Sequence, residues 1–298
     1  MNHHHEHATP TTGLRLLITL ILNLLISAAE VIGGLLSGSL SLISDALHNF
    51  SDGVAVVISY IAIRLNQKPK TQHYTFGLKR AQIIAAIINS AVLVGISIYL
   101  FIESYDRFMH PEPIEAKLMM IVAGIGLVAN ITGTLLLKAG SKDNMNIRSA
   151  YLHLLSDAVS SVGVIVGAII IYFWNVYWVD PLLTVLISIY ILKESYHILK
   201  EALDIVLMAS PVNIPLDGIQ TLVKAIEGIN NLHHVHLWQM DEHDIHFEAH
   251  VDIADRLVSE TDSLLDEIRS ILHEHFEINH VTLQFECGSC ETTELIIN

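Results

Sequence analysis

Cysteine is nearly absent from this 298-residue chain: only Cys287 and Cys290 occur, with two residues between them, near the C-terminus. For a cytosolic C-terminus a stable disulfide is excluded, which leaves metal binding or redox chemistry for the pair. A thioredoxin-like role is excluded too, because no βαβ pattern surrounds them. Basic residues are scarce, 16 Lys and Arg against 31 Asp and Glu, for a formal net charge of −15. Such a surface repels nucleic acid and favours cations. Charge of either sign is thin: 16% of residues are charged and 52% hydrophobic, with a mean hydropathy of +0.49. An ordinary soluble protein is therefore excluded. The acidity and the apolarity occupy different parts of the chain. From residue 211 onward three Lys and Arg face seventeen Asp and Glu. A nearly neutral apolar part is followed by a strongly acidic soluble part, with the boundary near Ser210.

The apolar part holds six runs, at 14–36, 40–64, 79–106, 114–139, 149–174 and 178–207, each of the length that a bilayer needs. The first run has a single basic residue, Arg15, at its start, and is too long for a signal-peptide core. Ahead of it, residues 1–13 form a tail with His3, His4, His5 and His7, read as weakly metal-binding. The loop after run two carries Arg64, Lys68, Lys70, Lys79 and Arg80, and the loop after run four carries Lys138, Lys142 and Arg148. The opposite loops offer only Arg107 and Lys117. By the positive-inside rule both termini are cytoplasmic. The glycines at 33–34, 124 and 126, and 163 and 167 read as close helix contacts, and Asn23, Glu30, Asn89 and Asn130 as interhelical hydrogen-bonding groups.

Two of these runs share a motif. Run two contains Leu47-His48-Asn49-Phe50-Ser51-Asp52-Gly53-Val54 and run five Leu152-His153-Leu154-Leu155-Ser156-Asp157-Ala158-Val159, both of the form L-H-x-x-S-D-x-V. On a helix His and Asp four residues apart stand on one face. Facing helices would offer two imidazoles and two carboxylates to one ion, an N/O set suited to tetrahedral Zn²⁺. An Asp at the centre of a spanning helix costs roughly 2.5–3.5 kcal/mol, and intramembrane ionisable groups mark ion pathways. The runs cross in opposite senses, which puts His48 and Asp52 in the outer half of run two and His153 and Asp157 in the inner half of run five, so the pairs meet if both helices tilt about a site near the midplane. Inverted repeats around such a site recur in transporters. Asp45 is expected near the outer mouth, as an entry or exit carboxylate.

The acidic part, 209–298, reads as αββαβ: helix 217–227 with Asp217 as cap, strands 232–240 and 245–253, amphipathic helix 259–276, and strand 280–286. This is a small α+β, ferredoxin-like domain with one sheet face open. Alternation along each strand puts Val235, Leu237, Phe247, Ala249, Val251, Val281, Leu283 and Phe285 on a covered face. The open face then collects His236, His250, Gln284 and Glu286, with Cys287 and Cys290 just beyond, read as a regulatory metal site. His243, His273 and His275 fit a solvated surface.

These residues resemble the cation diffusion facilitator family of zinc transporters over most of the chain. The resemblance is carried by Ser41-Leu42-Ile43-Ser44-Asp45-Ala46-Leu47-His48 through Asp52, Tyr74-Thr75-Phe76-Gly77, Tyr151-Leu152-His153 through Asp157, Val235-His236-Leu237-Trp238, and His280-Val281-Thr282-Leu283-Gln284-Phe285-Glu286. It implies a homodimeric secondary transporter, not an enzyme, in a bacterial plasma membrane, exporting Zn²⁺ from the cytosol in exchange for protons. It places the transport site on His48, Asp52, His153 and Asp157 and the soluble-domain metal positions on His236 and His250. Gln284 stands where some members have a histidine, and the loop site between runs two and three is reduced to His73. An intramembrane metallohydrolase would need H-E-x-x-H, which neither motif copy has. A membrane metal sensor, or a transporter mainly of cadmium, cobalt or manganese, is the alternative.

Overall fold

The computed structural model describes residues 10–66, 68–138, 145–241, 244–288 and 294–296. Six long helices come first: α1 (Pro10–Ser37), α2 (Leu40–Asn66), α3 (Ala81–Met109), α4 (Ala116–Lys138), α5 (Met145–Trp174) and α6 (Val179–Val206). Five of them are long and apolar enough to cross a membrane. Among the described residues α2, which carries Asp45, His48, Asn49, Ser51 and Asp52, is not one of the five. The rest are α7 (Leu216–Lys224), β1 (Ile229–Gln239), β2 (Ile245–Ile253), α8 (Val258–Phe276) and β3 (His280–Glu286). The chain divides into two compact units, one of Met1–Ile61 with Ile88–Ile198, the other of Ala62–Ile87 with Leu199–Asn298.

In the first unit α4, α5, the start of α2 and the start of α6 close around Leu42, Met119, Ala123, Val164, Ala168, Ile171 and Val179. Large apolar side chains such as Leu25, Ile102, Val128, Val159 and Phe173 stay exposed around it, as a lipid-facing surface requires. Gly33, Gly34, Gly126 and Gly167 do sit at close contacts, whereas Gly124 and Gly163 face open space. The start of α2 is held from α6. The buried Asp180 carboxylate accepts the hydroxyls of Ser39 and Ser41, both at 2.6 Å, and the backbone N–H groups of Leu40 at 2.7 Å and Ser41 at 3.2 Å. An acid here satisfies N–H groups that a helix leaves unpaired at its N-terminus and complements the positive end of its dipole. The turn before it is pinned by Arg107, which donates to the Gly38 carbonyl at 3.0 Å and pairs with Glu103 and Glu112.

In the second unit β2 is the central strand, antiparallel to β1 and parallel to β3. The apolar face packs Leu232, Val235, Leu237, Phe247, Ala249, Val251 and Val281 against Ile219 and Val223 of α7 and Leu264, Ile268 and Leu272 of α8. Asp217 lies in the first turn of α7 rather than capping it; Pro215 holds the cap position. The other face is open at His236, Glu248 and Gln284, but not at its far end. There His246 is buried, stacked on Trp238 at 5.4 Å and beside His280 at 4.5 Å, with Phe76 at 5.7 Å. Lys79 pairs with Asp244, so the chain between α2 and α3 covers this corner.

Burial holds the His246 imidazole below its ordinary value; His280, Lys79 and Lys70 push the same way and Asp241 opposes them. A histidine depressed in the fold takes up its proton first in the unfolded chain. Stability is therefore full above the ordinary value of about 6.5 and falls as pH drops through it towards the folded value. The thermal midpoint of this unit should fall between pH 7.5 and 5.5, and less so in His246→Gln, when followed by calorimetry.

Candidate metal centres

The two motif copies meet. On α2, His48 Nε2 lies 3.5 Å from Asp52 Oδ2, and on α5, His153 Nε2 lies 3.5 Å from Asp157 Oδ2. The helices are joined by His153 Nε2 and Asp52 Oδ2 at 3.3 Å. One carboxylate oxygen of Asp52 thus serves both imidazoles, whose rings are 6.1 Å apart and edge to face. His48 Nδ1, Asp52 Oδ2 and Asp157 Oδ2 are buried without a hydrogen-bond partner. Each such group costs about 1–3 kcal/mol when left unpaired, which makes the cluster a natural receptor for a cation. A cavity of about 410 Å³ reaches His48 and Asp157 and is walled by Ser160, Leu183, Ile187 and Tyr190 among others. The Tyr190 ring lies 6.1 Å from that of His48. No sequence pattern singles Tyr190 out.

Asp45 is not at a mouth. It is 2% exposed, and Ser160 of α5 donates to its Oδ1 at 2.5 Å. Three residues before His48, it shares the inward side of α2. Asn89 makes the expected interhelical bond, accepting from Ser51 at 2.9 Å. Asn23 donates to the Asn49 carbonyl at 3.5 Å, Glu30 meets the Asn49 side chain, and Asn130 Nδ2 has no partner. His73 is exposed against Tyr74 and joins no cluster of three metal-ligating groups among the described residues. His3, His4, His5, His7, His243 and Cys290 lie outside the described residues.

In the second unit His233, His250 and Glu286 bring ligand atoms within 4.8 Å of one another. His233 Nε2 is 2.7 Å from Glu286 Oε1, and His250 Nδ1 is 3.3 Å from Glu286 Oε2. His236 is not part of this group. The β1 register slips between His233 and His236, with His234 at φ 51°. His233 consequently faces His250, whereas His236 pairs with Glu248 and is exposed. Strict alternation fails at this bulge. Its trace is Leu232 and Val235, both apolar and both buried at an odd spacing. Cys287 is exposed and outside the cluster. His233 is 1% exposed and its Nδ1 has no hydrogen-bond partner, which suits two nitrogens and a carboxylate to Zn²⁺. An ion there would tie the three strands together. His233→Ala should lose one bound zinc per chain while His236→Ala keeps it, as read by zinc counting on the purified full-length protein.

The profile of the cation efflux transmembrane domain matches residues 16–207, and that of the cation efflux protein cytoplasmic domain matches residues 211–287. A cadmium, cobalt and zinc/H(+)-K(+) antiporter of Bacillus velezensis is 38% identical over 97% of this chain and 93% of its own length. The zinc transporter ZitB of Pectobacterium atrosepticum is 37% identical over 98% and 91%. The metal cation efflux system protein CzcD of Cupriavidus metallidurans is 36% identical over 97% and 92%. The matched profiles span nearly the whole chain and follow its division into an apolar helical part and an acidic sheet part. This chain is an integral membrane protein of the cation efflux family, the cation diffusion facilitators.

Proposed function

We propose that this protein exports Zn²⁺ from the bacterial cytosol across the inner membrane in exchange for protons, by alternating access, as a homodimer with both termini cytoplasmic. Six crossings, α2 included, are part of this reading. The observation that carries it is the shared Asp52 oxygen, which puts both His–Asp pairs within reach of one ion. Zinc needs neutral imidazoles and ionised carboxylates, so metal binding expels protons and protonation expels metal. A site open to each side in turn couples the two flows by that competition alone. Relatives named for cadmium and cobalt bring those ions to this chain as further substrates, and the Bacillus antiporter brings potassium as a second counter-ion.

The deciding experiment is zinc flux in proteoliposomes with and without an imposed pH gradient. Flux that follows the gradient supports antiport. Zinc binding without flux would make the protein a metal sensor instead.

A further inference from the structure

The four side chains of the two His–Asp pairs are not equally reachable. Those of Asp52 and His153 are 27% and 38% exposed, those of His48 and Asp157 12% and 3%. The cluster therefore has an open side, at Asp52 and His153, and a closed side. The closed side is the cavity of about 410 Å³, and its walls give its direction. They run from Ser156 to Val164 on α5 and from Leu183 to Tyr190 on α6. Only residues 175–178 separate these helices, so they run in opposite senses, with Gly167 against Leu183 and Ser156 against Tyr190. The cavity thus extends from the cluster towards the α5–α6 turn. The open side faces the other way, towards the end of α6. On the orientation read from the basic loops, that way lies the cytosol.

Tyr190, 6.1 Å from the His48 ring, is the last α6 residue on the cavity wall. One turn further along the same face of α6 comes Glu194, past the cavity and exposed. Its charge reaches both members of the α2 pair, His48 and Asp52. Two imidazoles and two carboxylates already complete a tetrahedron for zinc, so Glu194 is not needed as a ligand. An exposed carboxylate keeps its water and offers a divalent cation attraction at a distance rather than a bond. Charge of that kind beside the mouth of a site raises local cation concentration and on-rate by about 10–10³-fold. Asp45 cannot do this, being buried and taken up by Ser160. Lys193 is also exposed but stands about 100° around the helix from Glu194.

We propose that Glu194 captures the hydrated divalent cation on the open side of the cluster and passes it to Asp52 and His48. The proposal rests on the export reading above and adds to it the residue where the ion is first held. Glu194 governs loading and not the later steps, so its removal raises the KM for zinc and leaves the maximal rate as it was. The attraction crosses water, so salt screens it.

The test uses full-length protein in everted vesicles, with buffered free zinc outside and monovalent salt equal on both sides. At about 0.01 M salt, where a charge is felt over about 30 Å, Glu194→Gln should raise KM by about three- to tenfold. Glu194→Lys should raise it further, and Glu194→Asp should restore most of the wild-type value. At about 1 M salt, where the reach is about 3 Å, the three KM values should converge on that of wild type. Glu267→Gln removes an equal charge from the exposed side of α8 and should leave KM unchanged. An unchanged KM in Glu194→Gln overturns the proposal. So does a lower maximal rate at unchanged KM, which would make Glu194 a ligand, or an equal effect of Glu267→Gln, which would make the attraction a property of the whole acidic surface. Wild type that moves no zinc overturns the export reading and this proposal with it.

Discussion

Asp52→Ala is expected to cut zinc efflux roughly a hundredfold, since a charged contact of about 3 kcal/mol corresponds to two powers of ten. The effect should exceed that of His48→Ala. Asp52 Oδ2 approaches both imidazoles, at 3.5 and 3.3 Å, so its loss breaks the intrahelical pair and the contact between α2 and α5 together. His48→Ala removes one corner and leaves the α2–α5 contact in place. Initial rates of zinc uptake into everted vesicles, normalised to folded protein, measure both. An Asp52→Ala rate near that of wild type would remove Asp52 from the ion's path.

The other large effect is expected at Asp180. Alanine there strands two hydroxyls and two backbone N–H groups that the carboxylate now satisfies, in a place where water does not compensate. At about 1–3 kcal/mol for each stranded group, partly relieved by rearrangement, the loss is on the order of 3–5 kcal/mol. Efflux should fall with it, because the start of α2 sets the height of His48 and Asp52. Asp180→Asn retains one accepting oxygen and should keep part of both properties. Thermal unfolding in detergent separates the two variants. An alanine variant as stable as wild type would mean that α2 is held by packing around Leu42 rather than by the carboxylate.

What could be read from the sequence depended on how local the cause was. Strands β2 and β3 span 245–253 and 280–286 as alternation predicts, because a period of two needs no partner to be visible. The two His–Asp pairs were equally legible, since a four-residue spacing is a property of one helix. The bulge in β1 was not: simple alternation selects His236, and a local slip of the ladder substitutes His233. Nothing local in the sequence marks Asp180, because its partners at Ser39–Ser41 lie some 140 residues away. Asp45 reads as a mouth residue until Ser160 is seen to cover it. Long-range contacts and register slips leave little trace in composition or period, and these three residues depend on them.

The polar cluster of α2 has a consequence for how the protein is made. On the six-span reading, a segment with two aspartates at roughly 2.5–3.5 kcal/mol each is a poor candidate for entering the bilayer by itself. Only Gly38 and Ser39 separate it from α1, too few residues to let the two helices be delivered independently. On that reading they are expected to leave the insertion machinery as one helical hairpin, with α1 carrying its polar neighbour in. Any lesion that weakens α1, even far from the zinc ligands, would then show first as a chain whose α2 never leaves the aqueous side.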